Sequence, residues 1–143
     1  MRILAVMGNP RKNGYTQRLA NFFLAGMKSG GAEVEVVDLC RLQIKHCMGC
    51  YSCWLVHPGV CVHKDDMAAV MEKFQAAEIV VFLSPLNAYG TSSHIKVFLD
   101  RILTYTKEGF VPTPAGLIRN SVRNPERWPK KLAYLLVGAF RGE

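Results

Sequence analysis

The sequence predicts an α/β fold, an open and doubly wound parallel sheet, on three observations. Four apolar runs rich in β-branched residues, Ile3–Met7, Val34–Leu39, Ile79–Leu83 and Leu132–Val137, are continuous rather than alternating, as in strands covered on both faces. Segments of helical period lie between them. The resulting order is strand, helix, strand, long loop, helix, strand, helix, loop, strand, which calls for right-handed crossovers between parallel neighbours.

Each element has a local reason. The first strand breaks off at Gly8-Asn9-Pro10, and a helix from about Thr16 to Ser29 places Leu19, Phe22, Phe23 and Met27 on one face before stopping at Gly30-Gly31. The second strand runs into a long loop, about 40–64. Asp65-Asp66 then offer capping carboxylates to a helix aligning Met67, Val70, Met71 and Phe74. After the third strand a helix begins near Ser92-Ser93 and aligns Ile95, Phe98, Leu99 and Ile102. A second long loop, about 106–131, is basic and contains Pro112, Pro114, Pro125 and Pro129. The reading is one domain, 1–143.

Composition narrows the function. With half its residues hydrophobic and a fifth charged, the chain is not intrinsically disordered. Lys plus Arg less Asp plus Glu, 18 − 11, gives +7, which favours anionic ligands such as phosphates. The basic residues lack interleaved aromatics, so no nucleic acid is expected as partner. No apolar run approaches the ~20 residues of a membrane helix. Met1–Met7 is too short and too abruptly followed by Gly8-Asn9-Pro10 for a secretory signal, so the expectation is a cytoplasmic protein with no membrane attachment. Five cysteines in a reducing compartment, four of them crowded together, point to metal or redox chemistry before structural bridging.

Ligands of doubly wound sheets bind beyond the carboxyl ends of the strands, where strand order reverses. That rule singles out the loops after the first and third strands. In the first, Gly8 and Gly14 allow close approach of the backbone, and Asn9, Asn13, Tyr15 and Thr16 offer side-chain hydrogen bonds. Arg11 offers a fork to phosphate oxygens, and the unpaired N–H groups of the following helix suit an anion. The loop is neither a Walker A loop nor a Gly-x-Gly-x-x-Gly loop, so it suits a mononucleotide-like phosphate ester. In the second, Pro85 stiffens the strand exit and Gly90 lets the chain turn. Leu86, Ala88 and Tyr89 supply flat apolar contact, and the peptide groups of 86–90 supply polar edges. Lys96, Asp100 and Arg101 are expected to be solvated or paired charges without a catalytic role.

Gly8-Asn9-Pro10-Arg11-Lys12-Asn13-Gly14-Tyr15-Thr16 resembles the Gly-Ser-Pro-Arg-x-x-Gly-x-Thr phosphate loop of the flavodoxin-like NAD(P)H-dependent FMN reductases. Ser84-Pro85-Leu86-Asn87-Ala88-Tyr89-Gly90, continuing to Lys96-Val97-Phe98-Leu99-Asp100-Arg101, is similar to that family's second signature, a Ser-Pro-x-Tyr turn on the flavin ring followed by a helix. The departures are Asn9 for the usual Ser and Asn87 where Tyr is frequent. The resemblance implies FMN bound by Asn9, Arg11, Asn13, Gly14, Tyr15 and Thr16 at its phosphate, and by Pro85, Leu86, Asn87, Ala88, Tyr89 and Gly90 at its ring. It further implies NADPH or NADH as electron donor and an unidentified small-molecule or protein acceptor. The family normally has a fifth strand and a last helix. Neither is evident in this sequence, so either the chain is truncated or another copy covers the exposed surface, and a homo-oligomer is expected.

Cys47, Cys50, Cys53 and Cys61 fall within fifteen residues. Two-residue gaps let a tight loop aim several sulfurs at one centre, and Gly49 and Gly59 give it freedom. The motif resembles that of the iron–sulfur flavoproteins, a branch of the same superfamily, in which it binds a [4Fe-4S] cluster. It also resembles related flavoreductases that use no cluster. A cluster, a reduced-thiol or disulfide loop, and zinc all stay open. Cys40 is read as a small buried residue, His46 and His63 as polar surface. Hydride transfer to bound flavin is the expected chemistry, with no general acid or base assigned. Two alternatives are an iron–sulfur electron carrier reduced by a ferredoxin-type partner and a zinc-binding module. The Tyr105–Lys131 stretch is read as a lid over the flavin or a reach to a partner subunit, and Trp54 and Trp128 as walls of the ring pocket or a dimer contact.

Overall fold

The computed structural model describes residues 1–88, 90–112 and 118–138. Its centre is β1 (Arg2–Met7), whose residues from Ile3 onward are all buried. β2 (Glu33–Asp38) pairs with one side of β1 and β3 (Ile79–Pro85) with the other, both in parallel. Two strands within 106–122, β4 (Thr106–Pro112) and β5 (Ile118–Val122), stand apart from this sheet. β6 (Lys131–Val137) returns to pair in parallel with β3, giving the order β2-β1-β3-β6. From β1 the chain steps outward to β2 and then crosses back to β3. The reversal point therefore lies between the carboxyl ends of β1 and β3.

Helices cover both faces, which is why the strands read as continuous apolar runs. On one side α3 (Met67–Ala76) and α4 (Ser93–Arg101) pack Val70, Met71, Phe74, Ile95 and Phe98 onto Leu4, Val6, Val80 and Phe82. The periodicity read in these helices is the buried face observed, with Leu99 and Ile102 partly buried at its margin. On the other side α1 (Tyr15–Ser29) packs Ala20 and Leu24 against Ile3, Ala5, Met7, Val81 and Leu83. The face of α1 is a correction. Thr16, Ala20, Leu24 and Met27 point inward, whereas Leu19, Phe22 and Phe23 are exposed. Small Ala20 lets the helix sit close to the sheet, and that contact fixes its rotation.

The segment 106–131 is the second difference. It contains the antiparallel hairpin β4–β5 and a 3₁₀ turn at Pro125–Arg127 rather than a plain loop. Of its prolines, Pro112 closes β4 and Pro125 opens the 3₁₀ turn, while Pro114 lies outside the described residues. Gly109, at φ 96°, lies where the hairpin register shifts between Thr106 and Phe110. In the 40–64 segment a short helix, α2 (Ser52–Leu55), follows Tyr51 in the left-handed region. β6 lies at the sheet edge, with Leu132, Tyr134 and Leu136 about half exposed. No helix among the described residues is long and apolar enough to cross a membrane.

Candidate functional site

The loops after β1 and β3 meet. Gly8 N–H donates to the Leu83 carbonyl at 2.9 Å, extending the β1–β3 pairing by one residue. A Cβ on Gly8 would lie 2.4 Å from Ile95 Cγ1 and 2.7 Å from Ser92 Oγ, so only glycine lets α4 start there. Gly8 and Gly14 are not in the left-handed region; what Gly8 provides is close approach.

Asn9 is buried and shapes the loop from within. Its Nδ2 donates to the Arg11 carbonyl at 2.7 Å and its Oδ1 accepts from Arg11 N–H at 3.3 Å, an Asx-type turn that holds the loop. Arg11, Lys12 and Asn13 project into solvent, and Tyr15 is exposed. Thr16 is buried in the first turn of α1. No side chain caps that helix, and its first backbone bond runs from Arg18 N–H to the Gly14 carbonyl. The N–H groups of residues 15–17 thus face outward beside an open groove lined by Arg11, Lys12, Asn13, Gly14, Tyr15 and Arg18. Three cations around a helix N-terminus are an arrangement that suits an anion.

The second loop is a tight turn. Asn87 and Gly90 exchange two backbone bonds of 2.8 and 2.9 Å, and Ala88, not Gly90, takes the left-handed conformation at φ 43°. Tyr89 lies outside the described residues. Ser84 Oγ donates to the Pro85 carbonyl and accepts from Ser92 N–H, both at 2.8 Å, tying the two ends of the loop together. Pro85 and Leu86 are half-buried, Asn87 and Ala88 exposed. The amides of Leu86, Asn87 and Gly90 are already engaged, the first with the Val137 carbonyl at 2.9 Å. Of the backbone donors expected from 86–90, these three are therefore committed to the fold.

Two groups here were not singled out from the sequence. Ser92 Oγ is buried without a hydrogen-bond partner, as is His94 Nδ1, which borders a groove shared with Asn9, Pro10 and Lys12. Orphaned polar atoms beside an anion site fit a ligand rich in hydrogen-bonding groups. The only sequence signal for them is their place at the start of α4.

All five cysteines are free thiols. Cys47 and Cys50 are exposed, Cys53 is buried and Cys61 half-buried. All four of the clustered thiols line one narrow pocket with Arg101 and Thr104. Burial pushes the Cys53 thiol pKa up, with the Thr104 hydrogen bond opposing. Cys40 lies apart, its thiol raised to about 11 by burial and by the charge of Asp38. Among the described residues no three His, Cys, Asp or Glu side chains are placed to hold a metal ion. As arranged, the thiols share a pocket without converging, so they do not form a ready metal centre.

The hairpin segment reaches the cysteine loop. Arg123 Nη2 donates to the Cys53 carbonyl at 3.3 Å. Trp54 Nε1 donates to the Leu103 carbonyl at 2.9 Å, and Trp128 packs edge-on against Phe74 at 5.4 Å. The tryptophans thus brace the cysteine loop and the core. Lys96 pairs with Asp100 on the surface and Arg101 with Asp65, paired charges as the sequence suggested, although the Arg101 pair is buried.

Residues 1–138 match the family described as NADPH-dependent FMN reductase. The chain is 30% identical over 122 residues to an iron–sulfur flavoprotein of Archaeoglobus fulgidus, covering 85% of this chain and 53% of that protein. It therefore spans about half the length of that relative. The NAD(P)H:quinone oxidoreductase of Methanothermobacter marburgensis superposes with a TM-score of 0.69 at 14% identity, over 96% of this chain and 84% of that one. An FMN-dependent NADH-azoreductase of Bacillus anthracis, solved in complex with FMN, superposes at 0.65 and 15% identity, over 96% and 68%. These likenesses extend the flavodoxin-like architecture to nearly the whole chain. On the match that runs from the first residue through β6, the chain belongs to the NADPH-dependent FMN reductase family.

Proposed function

We propose that the chain binds FMN and acts as an oxidoreductase that takes electrons from NADPH or NADH and passes them to a small-molecule or protein acceptor. The observation that carries this reading is the junction of the β1 and β3 loops at Gly8, Ser92 and Ile95, at the reversal point of the sheet. The outward N–H groups of residues 15–17, with Arg11, Lys12 and Arg18, hold the phosphate. Asn9 keeps that loop in shape, and Asn13, Gly14, Tyr15 and Thr16 border the ester. Pro85, Leu86, Asn87, Ala88, Tyr89 and Gly90 lie along the ring, offering apolar contact and carbonyl acceptors. When bound, FMN supplies acceptance of hydride and onward electron transfer, and the protein supplies position and electrostatics. A second copy of the chain is proposed as partner, seated on exposed apolar side chains such as those of β6.

A second reading is favoured by the four thiols lining one pocket and by the names of the curated relatives. In it Cys47, Cys50, Cys53 and Cys61 hold a [4Fe-4S] cluster, and a ferredoxin-type protein is the electron partner. Loading would require exposed Cys47 and Cys50 to close onto Cys53 and Cys61, which the Gly49 turn between them, at φ 65°, permits.

Anaerobic addition of NADPH or NADH to the FMN-loaded protein separates the readings. Bleaching of the flavin absorbance supports the first. Bleaching only by a reduced ferredoxin-type protein, with a broad iron–sulfur absorbance in the oxidised sample, supports the second. No flavin uptake contradicts both.

A further inference from the structure

Arg101 is the bulkiest side chain among the fully buried ones of the described residues, at 2% exposure. Its Nη1 donates to Asp65 Oδ2 and to the Lys45 carbonyl, both at 2.7 Å, and its Nη2 donates to Asp65 Oδ1 at 3.0 Å. The carboxylate of Asp65 also accepts from Lys45 N–H at 2.9 Å and from Met67 N–H at 3.2 Å. One step further out, Gln43 N–H donates to Asp66 Oδ2 at 2.8 Å and Asp66 N–H to the Gln43 carbonyl at 3.3 Å. Residues 43–45 and 65–66 are thereby zipped into the neck of a closed loop, 46–64, that carries all four clustered thiols.

A neck alone needs only the terminal nitrogens of the fork. Nε is left over, buried and without a hydrogen-bond partner. Arg101 lines the pocket shared by the four cysteines, and with Cys61 it also lines the larger adjoining cavity beside His63 and Tyr105. Of the four clustered cysteines, only Cys61 lines both cavities with Arg101.

We propose that Arg101 is a positioning residue for Cys61: clamped by Asp65 and the Lys45 carbonyl, it closes the neck of the thiol loop and holds its Nε–H towards the Cys61 sulfur as a donor for negative charge there. Donors of this kind orient sulfur ligands and draw charge from them. The role goes beyond the proposed activity and requires neither FMN nor a cluster. It makes Cys61 the fixed member of the set, while Cys47 and Cys50 lie on the exposed turn.

The Arg101 Nε–H resonance in nitrogen-15 NMR spectra of the reduced full chain tests this. It is assigned through its own side-chain connectivities and checked by its disappearance in Arg101→Lys. The expected result is slow exchange with water in the wild type, a clear shift in Cys61→Ala and in Cys61→Ser, and no shift in Cys40→Ala, whose thiol lies outside the pocket. A purely structural neck would also give slow exchange, but would leave the resonance in place in both Cys61 variants. That result, or fast exchange in the wild type, overturns the proposal.

Discussion

Gly8 and Ile95 are locked together: the glycine has room for no side chain, because a Cβ would lie 2.4 Å from Ile95 Cγ1. That contact seats the start of α4 on the loop leaving β1 and so unites the two halves of the candidate flavin site.

Gly8→Ala is therefore expected to destabilise the fold by about 1–3 kcal/mol through overpacking, and to weaken FMN binding as well. Urea unfolding and a flavin titration measure the two effects. Adding Ile95→Ala in the same chain should recover part of the lost affinity, since the two substitutions act on one contact.

The architecture was legible because its signals are local. Continuous apolar strands and the Met67, Val70, Met71, Phe74 stripe survive burial unchanged. The rotation of α1 was not, because large Leu19, Phe22 and Phe23 outweigh small Ala20 in any reading of periodicity, whereas close packing favours the alanine. The β4–β5 hairpin was hidden by prolines, which end strands as readily as they mark loops. At the site, Gly8 was legible as a point of close approach, whereas Asn9 was read as offering its side chain to the phosphate and is found holding the Arg11 backbone. Ser92 and His94 were not legible, since a serine or histidine at a helix start carries no sign of what it will face. Arg101 was read as a solvated or paired charge; its burial and its partner were not legible, because Asp65 lies 36 residues away in sequence.

Ser92→Ala should leave the flavin-free protein as stable as the wild type or slightly more so, because the buried hydroxyl has no partner there. The same variant should bind FMN more weakly. Thermal melts with and without FMN make the comparison; equal flavin-induced stabilisation in both proteins would remove Ser92 from the site.

Stability should depend on pH through Asp65. Although burial acts in the opposite direction, hydrogen bonds from Arg101 and from backbone amides hold its carboxyl at about 2 against an ordinary 3.8. A depressed folded pKa contributes stability that is present above the ordinary value and lost as the pH falls through about 2. The difference corresponds to about 2 kcal/mol. Asp65→Asn should abolish this acid dependence, and near neutral pH it should cost about 3 kcal/mol or more by leaving Arg101 buried and unpaired. Denaturant titrations across acid and neutral pH give both numbers.

The thiols should differ in reactivity. Timed alkylation near neutral pH, followed by peptide mass spectrometry, is expected to label exposed Cys47 and Cys50 first. Cys40, raised to about 11, and buried Cys53 should lag by roughly tenfold or more. Uniform labelling would mean that the pocket opens freely.

In the proposed site the loop leaving β1 grips a phosphate ester and the loop leaving β3 lies along the ring attached to it. Parallel titrations of the full chain with FMN and with riboflavin, which lacks the phosphate, test it most directly. Micromolar uptake of FMN is expected, with binding of riboflavin weaker by roughly ten- to a hundredfold, the equivalent of one or two charge-assisted hydrogen bonds, and with Arg11→Ala eroding the difference. A folded protein that takes up neither flavin, or binds both equally, contradicts it.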